Sequence, residues 1–173
     1  MICWSVIVCE VCLVALFDSM TSLLQNYYKK TKKNVTFDTR INQNIDTRDM
    51  IEKGQSYVST TVVDASNTAR TLGSGDLDVF ATPAMIALME NAAMKAVAPH
   101  LAEGETTVGG HMDCSHTAPS PIGAVIEAEA VVEAVEGRKI TYTVEARCGD
   151  TVIGRGSHVR FVVGAAKFMA KLL

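Results

Sequence analysis

TPAMIALMENAAMKAV, residues 82–97, decides the fold. Glu90 is the only acidic residue in this run, and almost every other position is Ala, Met, Ile, Leu or Val. A helix that is apolar on nearly all sides belongs inside a core, so the rest of the chain must wrap it. Thr82 has the chemistry of an N-cap, Pro83 suits the first helical position, and Pro99 stops the helix. A carboxylate in the centre of such a helix is either desolvated at a cost of about several kcal/mol or given partners that make it useful.

What wraps the helix is read from a change of period. Downstream, Ile126, Ala128, Ala130, Val132 and Ala134 alternate with Glu127, Glu129 and Glu133, a spacing of two that only a half-buried strand needs. Glu136-Gly137 turns the chain, and Ile140, Tyr142, Val144, Ala146 and Cys148 make the next inward face. Gly149-Asp150 turns it again into a third strand from Thr151 to Val163, where Gly154 and Gly156 mark a bend or a backbone approached closely by a neighbour. Alanines on the inward faces leave room for the helix. Upstream, the β-branched run Gln55 to Val63 reads as a strand, and Asp64 to Phe80 reads as a loop. Leu101 to Glu105 and the polar stretch Gly109 to His116 read as loops, and Ala165 to Leu173 as a short terminal helix. The expected class is α+β: an antiparallel sheet curled around one long helix, contained in residues 50–173.

Residues 1–49 form a separate N-terminal extension. Met1 to Phe17 is apolar apart from Ser5 and Glu10, Lys29, Lys30, Lys32 and Lys33 follow, and Asn, Thr, Lys and Asp then dominate to Arg48. Three readings fit: an inert extension upstream of a start at Met50, a membrane anchor, or a cleaved peptide. The anchor is at the short limit for a span and carries a carboxylate near its middle. A cleaved peptide would lack the usual basic start. Over the whole chain, 16 basic and 19 acidic residues give a net charge of -3, with no basic stripe, which argues against nucleic acid as a partner. Cys3, Cys9, Cys12, Cys114 and Cys148 have neither disulfide nor metal spacing and suit a reducing, cytoplasmic compartment. His111, Cys114 and His116 invite a metal check, but an extended chain points residues five apart to opposite faces, and no metal is expected.

Several short words of the sequence then fall into one order. Asp76-Leu77-Asp78-Val79-Phe80-Ala81-Thr82-Pro83, Leu88-Met89-Glu90, Gly109-Gly110, Cys114-Ser115-His116-Thr117-Ala118 and Glu136-Gly137-Arg138 resemble the hotdog-fold acyl-CoA thioesterases typified by fluoroacetyl-CoA thioesterase. The likeness covers about residues 50–168. It implies a hotdog fold, a homodimer with active sites near the interface, and a catalytic set carried by Thr82, Glu90 and His116. It also implies an acyl-pocket glycine at Gly109 and an active-site arginine at Arg160. The implied substrate is an acyl-CoA, with coenzyme A part of the substrate and no other cofactor.

The residues themselves agree with such chemistry. Thioester hydrolysis needs a group that delivers water or attacks, a cradle for the oxyanion and a proton for the departing thiolate. Glu90 can be a general base or a nucleophile, His116 can move protons near neutral pH, and the Thr82 hydroxyl can orient water or a carboxylate. Backbone N–H groups at the helix start or in Gly109-Gly110 can meet the oxyanion. Arg160, Lys95 and Arg155 are candidate contacts for the phosphates of coenzyme A. Against each stands a plainer role: Glu90 reaching solvent at a dimer seam, Thr82 a cap, His116 a loop contact, Arg160 a neutraliser of Glu90, and His100 and His158 structural or exposed. Two other functions share the fold and remain open: a hotdog dehydratase or hydratase, and a non-catalytic acyl-CoA sensor.

Overall fold

A computed structural model of the chain describes residues 50–173. The anchor, cleaved-peptide and inert readings of residues 1–49 lie outside the described residues. The elements run β1 (Ser56–Val62), α1 (Thr82–Val97), a 3-10 turn (Ala98–His100), β2 (Glu105–His116), β3 (Val125–Glu136), β4 (Lys139–Cys148), β5 (Thr151–Gly164) and α2 (Ala165–Met169). The five strands make one sheet in the order β1-β3-β4-β5-β2, antiparallel throughout. β1 and β2 are its edges.

The long helix lies on one face of this sheet, as its composition requires. Met85, Met89, Ala92, Ala93, Ala96 and Val97 form its buried stripe. They share a core with Ile126, Ala128, Ala130 and Val132 of β3 and Ile140, Tyr142, Val144 and Ala146 of β4. The alanines of β3 let the helix axis come close, and Met85 and Met89, both wholly buried, each contribute about 2 kcal/mol. The opposite side of α1, with Pro83, Ala87 and Lys95, is exposed. Among the described residues no helix is long and apolar enough to cross a membrane.

Three sequence readings are corrected. The stretch Gly109–His116 is not a loop but the greater part of a twelve-residue edge strand, Glu105–His116. Its alternation is hidden because the register slips between Gly109 and His111, so the inward positions run Thr107 and Gly109, then Met112, Cys114 and His116. On β3 the register slips between Val132 and Ala134, which turns Ala134 away and packs Val135 on the core instead. Finally, Thr82 is the first residue of the helix rather than its cap; Ala81 holds the N-cap position and no side chain caps the first turn.

Candidate active site

Glu90 sits in the third turn of α1 and leans toward the inner face of β2. Its carboxylate is not sealed in the core, as the surrounding apolar run suggests, since the side chain is 42% exposed. What lets it reach this position is Gly109: a Cβ there would stand 2.9 Å from Glu90 Oε1 and 3.3 Å from His158 Cε1. The glycine therefore serves space rather than backbone conformation.

Behind the carboxylate lies a buried cation. Arg160, on the inner face of β5 and 6% exposed, donates through Nε to Thr107 Oγ1 (2.9 Å) and through Nη2 to the Thr107 carbonyl (2.8 Å). Its Nη1 donates to His158 Nε2 at 3.2 Å and to the Glu90 carbonyl at 3.5 Å. Four of its five N–H groups are thus engaged, and the side chain has no path to a phosphate at the surface. Burial pulls the guanidinium below its ordinary value, while the Glu90 carboxylate and Tyr142 act in the other direction. Neither other candidate phosphate contact stands free: Lys95 lies over the Tyr57 ring, and Arg155 pairs with Glu145 at 3.1 Å on the outer face.

His158 was missed. Read as structural or exposed, it is wholly buried and lies directly beside this cluster. Residues two apart on a strand share a face, so His158 lies on the same side of β5 as the inward Arg160. Its Nδ1 lies 2.7 Å from the His111 carbonyl, which can only accept, so Nδ1 carries the proton. Its Nε2 then takes the Arg160 N–H and is unprotonated. The 3.8 Å separation between His158 Nε2 and Glu90 Oε1 is therefore a contact between a neutral ring and a carboxylate, not an ion pair. Burial first, and the Arg160 charge after it, hold the imidazole below its usual range against the pull of the His111 carbonyl. Tyr142, wholly buried with its ring centroid 6.2 Å from that of His158, closes the cluster from β4, and burial pushes its phenol well up.

Thr82 and His116 form a second group. The Thr82 hydroxyl and His116 Nδ1 share a hydrogen bond of 2.9 Å, which explains why the hydroxyl does not cap the helix. Beside them is a cavity of about 250 Å³ lined by Phe80, Thr82, His116, Thr117, Ala118 and Pro119 among others. His116 Nε2 is buried and has no partner among the described residues. Eight residues of helix, about 12 Å, separate Thr82 from Glu90. One chain therefore brings together Thr82 with His116, and Glu90 with Gly109, Arg160 and His158, but not the two groups with each other.

Other neighbouring residues drop out. The missing Cβ of Gly110 points at the Phe161 ring, which belongs to the other face of the sheet. His111 pairs with Val159 and His116 with Gly154, on opposite faces. Among the described residues no three His, Cys, Asp or Glu gather as metal ligands. Burial, then the Asp113 charge, pushes the Cys114 thiol up, so it is no thiolate nucleophile at neutral pH.

Comparison with known proteins gives one answer. Residues 63–166 match the family model described as fluoroacetyl-CoA-specific thioesterase. The fluoroacetyl-CoA thioesterase of Streptantibioticus cattleyicolor is 41% identical over 95 residues, which span 55% of this chain and 68% of that protein. A solved variant of the fluoroacetyl-CoA-specific thioesterase, in complex with fluoroacetate and CoA, superposes with a TM-score of 0.65 at 35% identity, covering 68% of this chain and 99% of that one. A Thermus thermophilus protein described as a thioesterase superfamily member gives a TM-score of 0.66 at 31% identity over 70% of this chain and 90% of its own. A hot-dog-like protein from Thermanaerovibrio acidaminovorans, at 22% identity and a TM-score of 0.67, covers 74% of this chain and 95% of its own and shares the fold. A sheet of this order on one long helix, matched by sequence and by structure alike, is a hotdog fold, and the chain belongs to the fluoroacetyl-CoA-specific thioesterase family of thioester hydrolases.

Proposed function

We propose that this protein hydrolyses a small acyl-CoA thioester to the free acid and coenzyme A, using Glu90, Thr82 and His116 as its catalytic set. The observation that carries the reading is Glu90: an accessible carboxylate at a glycine-walled gap, with a buried cation pinned behind it. Glu90 supplies the electron pair, either by taking a proton from water or by attacking the carbonyl carbon directly. The C–S bond breaks as the C–O bond forms, the water oxygen ends in the acid, and the thiolate receives a proton. His116, oriented by Thr82, moves that proton. Gly109 lets main chain and substrate approach the carboxylate closely. The reaction takes nothing beyond water and acyl-CoA, so no further cofactor is required.

The separation of the two groups supports a homodimer. They face the inner side of one edge, unpaired among the described residues, Gly109 near the start of β2 and His116 at its end. Antiparallel pairing of two such edges about a two-fold axis near the strand's middle sets Glu90 of one protomer beside Thr82 and His116 of its partner. It also removes a long exposed edge that would otherwise invite aggregation. A cytoplasmic location belongs to the same reading and agrees with the free thiols of Cys114 and Cys148.

The test is free-thiol release from acyl-CoAs ranging from acetyl to palmitoyl, by the full chain and by its Glu90→Gln variant. Turnover confined to short acyl groups and lowered at least about a thousandfold by the substitution is expected, since the reacting group itself is lost. Tight binding without release identifies an acyl-CoA sensor instead, and an elimination or hydration product identifies the dehydratase chemistry.

A further inference from the structure

The ring of His158 stands between two groups that want opposite things from it. Nδ1 is committed as a donor to the His111 carbonyl at 2.7 Å. Nε2 is 3.2 Å from Arg160 Nη1 and 3.8 Å from Glu90 Oε1. A bare Nε2 can accept from the guanidinium but has nothing to give the carboxylate. A protonated Nε2 can donate to the carboxylate and is repelled by the guanidinium. The ring cannot turn away to avoid the choice, because it is wholly buried and its Cε1 lies against Gly109.

We propose that His158 is a proton-gated positioning residue: neutral, it holds Arg160 and leaves the Glu90 carboxylate free, and protonated, it releases Arg160 and captures Glu90. The inference rests on Glu90 being the reacting group. It accounts for a feature that the catalytic set leaves unused, a buried imidazole with both nitrogens assigned and one of them within reach of the carboxylate.

The groups that face the ring all bear on its titration. The His111 carbonyl on β2 and Glu90 on α1 favour protonation, and Arg160 on its own strand and, least of all, the His111 side chain oppose it. Tyr142 on β4, with its phenol pushed up, stays uncharged. The largest influence is burial, which also opposes the charged form. The sign follows: the folded imidazole titrates below the ordinary value of about 6.5, so the neutral, permissive form prevails at and above neutral pH. The gate closes as pH falls through the folded value.

Two measurements on the full chain test this. In the first, kcat and KM are followed from about pH 4.5 to 9 for the wild type and for His158→Gln, with Glu90→Gln alongside. Glutamine keeps an acceptor oxygen for Arg160 but does not titrate, so kcat at pH 8 is expected to fall by about tenfold or less, the scale of one weakened hydrogen bond. Its acid limb is expected to move to lower pH. His158→Leu, which keeps the volume but not the acceptor, is expected to lose more kcat than His158→Gln at pH 8, with KM little changed. In the second, the ring nitrogens of His158 are observed by 15N NMR, and protonated Nδ1 with bare Nε2 is expected at pH 8.

An unmoved acid limb in His158→Gln, while Glu90→Gln is inactive, overturns the gate and leaves the reading of Glu90 standing. Nε2–H at pH 8 does the same. Wild-type turnover by Glu90→Gln overturns both.

Discussion

Glu90 owes its availability to an atom that is absent. Gly109→Ala places a methyl group 2.9 Å from Oε1, and what must yield is the end of a flexible side chain rather than backbone. The variant is therefore expected to fold with a melting temperature within about 5 °C of the wild type, while the carboxylate shifts and kcat/KM falls at least about a hundredfold. Thiol release and a thermal melt on the same preparation check both halves; equal losses of stability and activity would instead mean that Gly109 serves the strand. At this scale the sequence was informative where a residue was out of place. Glu90 stood out as the one acid in an apolar helix, whereas Arg160 was indicated only by the family resemblance. His158 did not stand out, because histidine is ordinary on either face and, Arg160 on its own strand apart, the groups it meets come from β2 and from α1. Nor could composition reveal that Thr82 turns its hydroxyl to His116 instead of capping α1, since either use suits a threonine before Pro83.

Among the elements, α1 and β4 were legible because their periods are clean, β3 because its period holds as far as Val132, and β1 because its β-branched run is continuous. β2 was not, because two glycines and a register slip scramble its alternation at the place where Gly109 must face Glu90. The irregularity that hid the strand is the one that builds the site. The sequence offers a bend or a close approach at the glycines of β5; the approaches are there, and they differ in how much backbone they meet. A Cβ on Gly154 would meet Met85 Sδ at 2.5 Å and the Ser115 carbonyl at 2.7 Å. One on Gly156 would strike the backbone of Asp113 and Cys114 on β2. At Gly154 the flexible end of Met85 can move aside and one carbonyl remains, whereas at Gly156 the contact is mainly with backbone, which cannot yield without opening the β2–β5 ladder. Gly156→Ala is thus expected to destabilise the protein by about 3 kcal/mol or more, the upper end for overpacking. Urea denaturation at neutral pH measures it, and a loss below about 1 kcal/mol would show that β2 can slide.

For the molecule as a whole, the proposed catalytic groups fall in two clusters about 12 Å apart along one helix, and on the proposed reading two protomers unite them. If Glu90 of one protomer works with Thr82 and His116 of its partner, inactivity at either place is complementable. Glu90→Gln and His116→Ala chains, each inactive alone, are denatured together in equal amounts and refolded. A mixed dimer then has one site with both lesions and one with neither. Random pairing makes half the dimers mixed, and half of their sites are intact, so activity is expected to return to about a quarter of the wild-type value. Were all the groups of a site supplied by one chain, every site in every dimer would carry a lesion and no activity would return. Refolded wild type under the same protocol sets the full scale. The quarter is set by counting alone, so it does not depend on which acyl group the enzyme prefers or on whether Glu90 attacks carbon or water.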